Sequence, residues 1–215
     1  GNTGSINGDA LTSVLTLAPH SESSSTSIDL GSPVTNSGTL DISDSDFRAI
    51  ARNWERVVIG HLNTGLGTVR IGSLLVTQTT AVINTLEVHG GAVLVEEEIE
   101  LATSGVDYLL LKANDPTGAG VVIDGVIGEE ASVRNDWVRI ESQADVTVNA
   151  PVYAAERISI ATGFDTDGDL SNDAGDILID GRGTKSGLLE TTRDLSDGII
   201  ELVSGLAGGE MIFAG

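Results

Sequence analysis

Short aliphatic stretches alternate with acidic, glycine or asparagine turns along most of this chain. Val121-Val122-Ile123, Val138-Arg139-Ile140, Val146-Thr147-Val148, Ile158-Ser159-Ile160 and Ile177-Leu178-Ile179 are typical. A brief run of branched aliphatics bounded by such turns predicts a short β-strand. No helical pattern long enough to cover a sheet lies between them. A strand that buries one face must pack on something, and the only partners on offer are more strands of the same kind. The expectation is an all-β chain with a stacked, repetitive core.

From Arg56 onward strands are expected at 57–59, 69–71, 74–76, 81–83, 86–88, 93–95 and 108–111, and then through the stretches above to 199–203. Three stretches align. Val93-Leu94-Val95 leads through Ile99 to Leu109-Leu110-Leu111. Val121-Val122-Ile123 leads through Ile127 to Val138-Arg139-Ile140, and Val146-Thr147-Val148 through Val152 to Ile158-Ser159-Ile160. Each unit is a strand, an isolated aliphatic a few residues past its end, a variable polar loop and a second strand. The period is roughly 25 residues, within the range of solenoids and arrays. A β-sandwich or jelly roll also has short, regularly spaced strands. The isolated aliphatic between paired strands favours coils that turn a corner and stack like residue on like. The predicted architecture is a parallel, right-handed β-helix forming one domain over residues 39–215.

Residues 1–38 are rich in Ser, Thr, Gly and Asn and read as an extended segment, a cap or a strand donated to a neighbour. Val14-Leu15-Thr16-Leu17 and Ile28-Asp29-Leu30 carry its strand-like alternation. Between 44 and 56 the period changes. Phe47, Ile50, Ala51 and Trp54 share one helical face, and Asp44 or Ser45 is placed to cap it, predicting one short amphipathic helix over the sheet edge.

Composition narrows the function. Of 215 residues, 32 are acidic and 11 basic, a net charge of −21. Such a surface repels phosphate backbones and anionic lipids, so nucleic acid is not an expected partner. Aromatics make up 3%, so the core is expected to be aliphatic rather than a pocket walled by rings. There is no cysteine, hence no disulfide or thiolate metal site. No apolar run is long enough for a membrane span, and membrane insertion is not expected. The beginning Gly1-Asn2-Thr3-Gly4, without an initiator methionine, basic n-region or h-region, is expected of a processed product or an excised segment.

The segment Asp46-Phe47-Arg48-Ala49-Ile50-Ala51-Arg52-Asn53-Trp54-Glu55-Arg56-Val57-Val58-Ile59-Gly60, with Leu66-Gly67-Thr68 and Val69-Arg70-Ile71-Gly72, resembles a segment that recurs in giant repetitive bacterial surface proteins. These have β-helical shafts similar to filamentous haemagglutinin, and Asp176-Ile177-Leu178-Ile179-Asp180-Gly181 resembles single coils of those shafts. The resemblance reaches from about residue 39 to the end. It implies a secreted, extracellular, cell-surface, non-enzymatic role and supplies no catalytic residues.

The strongest local constellation is Asp165, Asp167, Asp169, Asp173 and Asp176 in one twelve-residue loop. Spaced carboxylates of this kind suit calcium, which takes six to eight oxygens. Leu170 stands where an EF-hand has glycine, and Asp176 replaces its bidentate glutamate, so the loop is closer to loose aspartate-rich extracellular loops. A solvated acidic turn is the competing reading. Glu96, Glu97 and Glu98 read as a solvated corner, and His20, His61 and His89 as isolated turn or surface residues without zinc spacing.

The leading functional expectation is a structural or adhesive segment, with self-assembly head to tail through open sheet ends as one form of it. A β-helical polysaccharide lyase or hydrolase, drawing on Arg134, Arg139, Arg157 and Arg182, is the enzymatic alternative. A glycan-binding module presenting Trp137 and Tyr153 is the third.

Overall fold

The computed structural model of the chain describes residues 13–19, 25–31, 40–50, 54–62, 65–75, 83–100, 108–128, 135–163, 175–181, 187–191, 198–205 and 209–214. The order is β1 (Val14–Leu17), β2 (Ile28–Leu30), β3 (Leu40–Ile42), α1 (Asp44–Ile50), β4 (Trp54–Ile59), β5 (Thr68–Ile71), β6 (Leu74–Leu75), β7 (Ile83–Gly90), β8 (Ala92–Val95) and β9 (Ile99–Glu100). There follow β10 (Tyr108–Ala113), β11 (Val121–Ile123), β12 (Asn135–Ser142), β13 (Val146–Val148), β14 (Val152–Thr162), β15 (Ile177–Asp180), β16 (Leu189–Thr191), β17 (Ile199–Val203) and β18 (Met211–Ala214).

The strands form two eight-stranded parallel sheets and a two-stranded one. The first runs β1-β4-β7-β10-β12-β14, with both β16 and β17 on β14; the second runs β18-β15-β13-β11-β8-β5-β2-β3; the third pairs β6 with β9. From β4 to β15 the chain visits them in rotation. After β10 and β11 it reaches Ile127, and after β12 and β13 it reaches Val152. Parallel bridges join Ile99 to Ile127 and Ile127 to Val152, extending the Leu74–Ile99 pairing of the third sheet. Strand β14 serves two rows: its residues 152–154 pair with β16, and its residues 157–161 with β17.

The alignment read in the sequence is the pairing register. Val93, Val121 and Val146 are partners in the second sheet, and Leu109, Val138 and Ile158 in the first. Because side chains alternate along a strand, an in-register parallel sheet lines up whole columns of inward residues. One such column is Leu30, Ile71, Val95, Ile123, Val148 and Ile179. All of them are buried, and their columns form one continuous aliphatic core. Glycine appears where successive passes come too close for a side chain. A Cβ on Gly120, which has φ 69°, would lie 1.9 Å from the Asp145 carbonyl oxygen.

The N-terminal region joins the same sheets: β1 pairs with β4, and β2 lies between β3 and β5. Helix α1 leaves β3, the outermost strand of the second sheet, and Phe47 is fully buried against the core. Its start is a capping box centred on Ser43. The Asp46 N–H donates to Ser43 Oγ (3.2 Å), and the Ser43 N–H donates to Asp46 Oδ2 (3.1 Å).

Three expectations need correction. The cap is Ser43, not Asp44 or Ser45, because only Ser43 stands three residues before an acid able to complete the box. The helix is described over Asp44–Ile50, and Trp54, expected inside it, instead opens β4, paired with Ile83. The indole still looks back at the helix, since its Nε1–H donates to the Ile50 carbonyl (2.7 Å). Finally, Ile83, expected to end one strand, and residues 86–88, expected as another, belong to one element, β7 (Ile83–Gly90), while residues 81 and 82 lie outside the described residues.

Candidate functional site

Alternation that sends aliphatics inward along β7, β10, β12, β14 and β17 sends polar and aromatic residues outward, and the register aligns these too. One outer row reads Arg56, Thr85, Tyr108, Trp137, Arg157, Ile199. The next reads Glu87, Leu110, Arg139, Ser159, Glu201, and a third holds His89, Lys112 and Glu141. This face gathers four of the chain's eleven Lys and Arg residues, against the acidic character of the whole.

The charges are paired across strands. Glu87 takes Arg56 Nη1 (3.3 Å) and His89 Nε2 (3.1 Å) on its two oxygens. Glu141, nearly buried, is paired with Arg139 and with Lys112 Nζ (3.5 Å). Arg157 Nη2 meets Glu201 Oε2 at 2.5 Å. A carboxylate buried this far needs its cations, because removing one would strand an uncompensated charge. The hydrogen bond from His89 is the main influence holding the Glu87 carboxyl below its usual pKa; burial opposes it and Arg56 assists. Burial raises the Tyr108 phenol above its usual 10.0, against the pull of Arg139.

Trp137 is the exposed aromatic of this face. Its ring lies 5.8 Å from that of Tyr108 at an interplanar angle of 51°, and the guanidinium carbon of Arg157 sits 5.0 Å from its centroid. Such a cation–π contact is worth about 0.5–1 kcal/mol at an exposed site. Beside it, Trp137, Val138, Arg139, Arg157, Ser159 and Glu201 line a cleft of about 290 Å³. The small Ser159, between Arg139 and Glu201 in its row, leaves the space.

Of the residues singled out in the sequence, Asp165, Asp167, Asp169 and Asp173 lie outside the described residues, as do Arg134, Arg182 and His20. Asp176 is described, and its carboxylate has a backbone partner: Asp176 Oδ1 accepts the Glu210 N–H (2.8 Å). Asp145 Oδ1 accepts the Asp176 N–H in the same way (2.9 Å). Asp145 and Asp176 stand just before β13 and β15, so each of these two side chains ties its own pass to the next. Arg139 and Arg157 come together at the cleft. Trp137 is 38% exposed, whereas Tyr153 is buried. Glu96, Glu97 and Glu98 are exposed, with Glu96 paired to Arg70. His89 is a correction: it is buried, not a surface residue, because Glu87 supplies a charged partner beneath the outer face.

The sequence reading missed the Glu87–His89 and Arg139–Glu141 pairs. Their signal was the two-residue spacing, which puts both members on one face of a strand. Comparison with family models, with curated proteins and with solved structures gave no match.

Proposed function

We infer that the two long sheets and the narrow third row are the walls of a parallel, right-handed β-helix. On this reading the chain is a non-enzymatic structural or adhesive segment of a secreted bacterial cell-surface protein. The resemblance of residues 46–60 and 176–181 to shaft-forming surface proteins supports the setting. Rotation of the chain through the three sheets from β4 to β15, with aliphatic inward columns in register, supports the coil.

The observation that carries the mechanical role is the last pass. Ile200, Met211 and Phe213 occupy inward columns that are otherwise closed, yet they are 46%, 48% and 68% exposed. Nothing among the described residues stacks on them. A strand edge with apolar inward residues is a template for another strand of the same kind. The other end offers matching edges: β1 ends the first sheet and β3 the second, both parallel to β17 and β18. Between β1, β3 and α1 lies a groove of about 310 Å³ whose lining combines Leu17, Leu40, Ile42 and Ile50 with Asp41 and Asp46. Docking of one copy's last pass on another copy's first continues both sheets, and a heterologous contact of this kind builds an open filament.

The charge of −21 sets the conditions. Copies repel one another at low ionic strength, and salt that shortens the screening length to about 8–10 Å favours assembly. Sedimentation velocity and negative-stain microscopy across concentration and salt test the reading. Association that grows with both, and is lost in Met211→Asp/Phe213→Asp, is expected; a strict monomer without filaments under all conditions removes end-to-end assembly.

Calcium belongs to the same reading. Bound in the 165–176 loop, it would neutralise crowded carboxylates and let adjacent passes settle.

A further inference from the structure

The cleft beside Trp137 has features that pairing of strands does not require. Its walls carry a guanidinium from Arg139, whose side chain is 42% exposed, and another from Arg157, 30% exposed, beside the Glu201 carboxylate, 46% exposed. The Ser159 hydroxyl completes the polar set, and the Trp137 indole, held by Arg157 and Tyr108, supplies the apolar edge. Arg157 also has a buried Nε–H with no hydrogen-bond partner, although a buried donor ordinarily finds one. The floor is rigid, because Val138, Ile158 and Ile160 are locked in the core directly beneath.

Donors and acceptors alternate over a few ångströms beside an aromatic edge. Vicinal hydroxyls, each both donor and acceptor, complement a guanidinium next to a carboxylate. A site of about 290 Å³ is at the small end of small-molecule pockets, fitting a short stretch of a larger ligand that continues along the face. A net charge of −21 repels polyanions from a distance, and each arginine is already matched by a glutamate. We propose that this cleft binds a neutral saccharide, with Glu201, Arg139 and Arg157 reading its hydroxyls and Trp137 its apolar edge. One copy suffices, so the site does not depend on end-to-end assembly.

Calorimetric titration of the monomeric chain with cellotetraose, mannotetraose and, as the anionic counterpart, tetragalacturonate tests this. A saturable heat with at least one neutral tetrasaccharide is expected. Ser159→Gln fills the cleft while leaving Ile158 and Ile160 in place, and Arg139→Gln removes charged donors. Each should weaken binding about tenfold or more, with the melting temperature of Ser159→Gln unchanged. Absence of heat with both neutral sugars, unaltered binding in Ser159→Gln, or tighter binding of tetragalacturonate than of either neutral sugar overturns the proposal.

Discussion

Two substitutions in one inward column separate a closed stack from an open end. Ile123 is fully buried, with Val95 on one side and Val148 on the other, both also at 0% exposure. Ile123→Ala removes three carbons, worth about 2.4 kcal/mol at about 0.8 kcal/mol per buried carbon. The cavity left between two rigid neighbours raises the total to about 3–4 kcal/mol. Phe213 closes the same column but is 68% exposed. Only about a third of a phenyl ring's burial is at stake there, so Phe213→Ala should cost about 1 kcal/mol in the monomer. Urea denaturation at low protein concentration, followed by circular dichroism, measures both. Equal losses at the two positions would refute an open end, and a loss below about 1 kcal/mol for Ile123→Ala would refute a close-packed column. Raising the protein concentration should enlarge the Phe213→Ala effect alone, because association stabilises by mass action.

Other consequences are open to direct measurement. Gly120→Ala should destabilise by about 2 kcal/mol or more, since φ 69° is strained for alanine and its Cβ would meet the Asp145 carbonyl at 1.9 Å; thermal unfolding reads this directly. The lowered pKa of Glu87 means that its carboxylate stabilises the fold above about pH 4.5 and that this contribution is lost as pH falls through the lower folded value. Glu87→Gln should therefore cost about 1–3 kcal/mol near neutrality and lose less stability than the parent on acidification; parallel pH–stability curves would contradict this. Asp176→Ala, which removes the acceptor for the Glu210 N–H, should cost about 1–2 kcal/mol and speed amide exchange at Glu210. Calcium in the 165–176 loop should raise the melting temperature with concentration, and no shift at millimolar calcium would take that loop out of the account.

Inward columns were legible in the sequence because period-2 aliphatic runs and an isolated aliphatic at constant spacing are local patterns. That is why Val93, Val121 and Val146 could be aligned without a structure. The cross-strand ion pairs of the outer face were not, because they join residues that become neighbours only once the register is fixed: Arg56 reaches Glu87 across 31 positions and Arg157 reaches Glu201 across 44. Loops of unequal length between strands hide such partners. The helix was overextended for a different reason. Trp54 satisfies helical spacing from Phe47 and Ile50, yet pairing of β4 with β7 required the chain to be extended by that point, and tertiary pairing outweighs a short amphipathic pattern. His89 was misplaced because burial of an imidazole depends on the carboxylate two residues away, a partnership that hydropathy does not register.

Paired cysteines test the stacked register most directly, in a chain that has none of its own. Val122, Thr147 and Leu178 are successive outward partners in the second sheet, and Leu110 and Arg139 are partners in the first. Neighbouring strands lie about 4.8 Å apart, within disulfide range, and strands two passes apart lie at about twice that, beyond it. Oxidation should cross-link the pairs 122/147, 147/178 and 110/139 within one molecule and leave 122/178 free. Cross-linking of 122/178, or failure of the adjacent pairs in a folded protein, would contradict the coil.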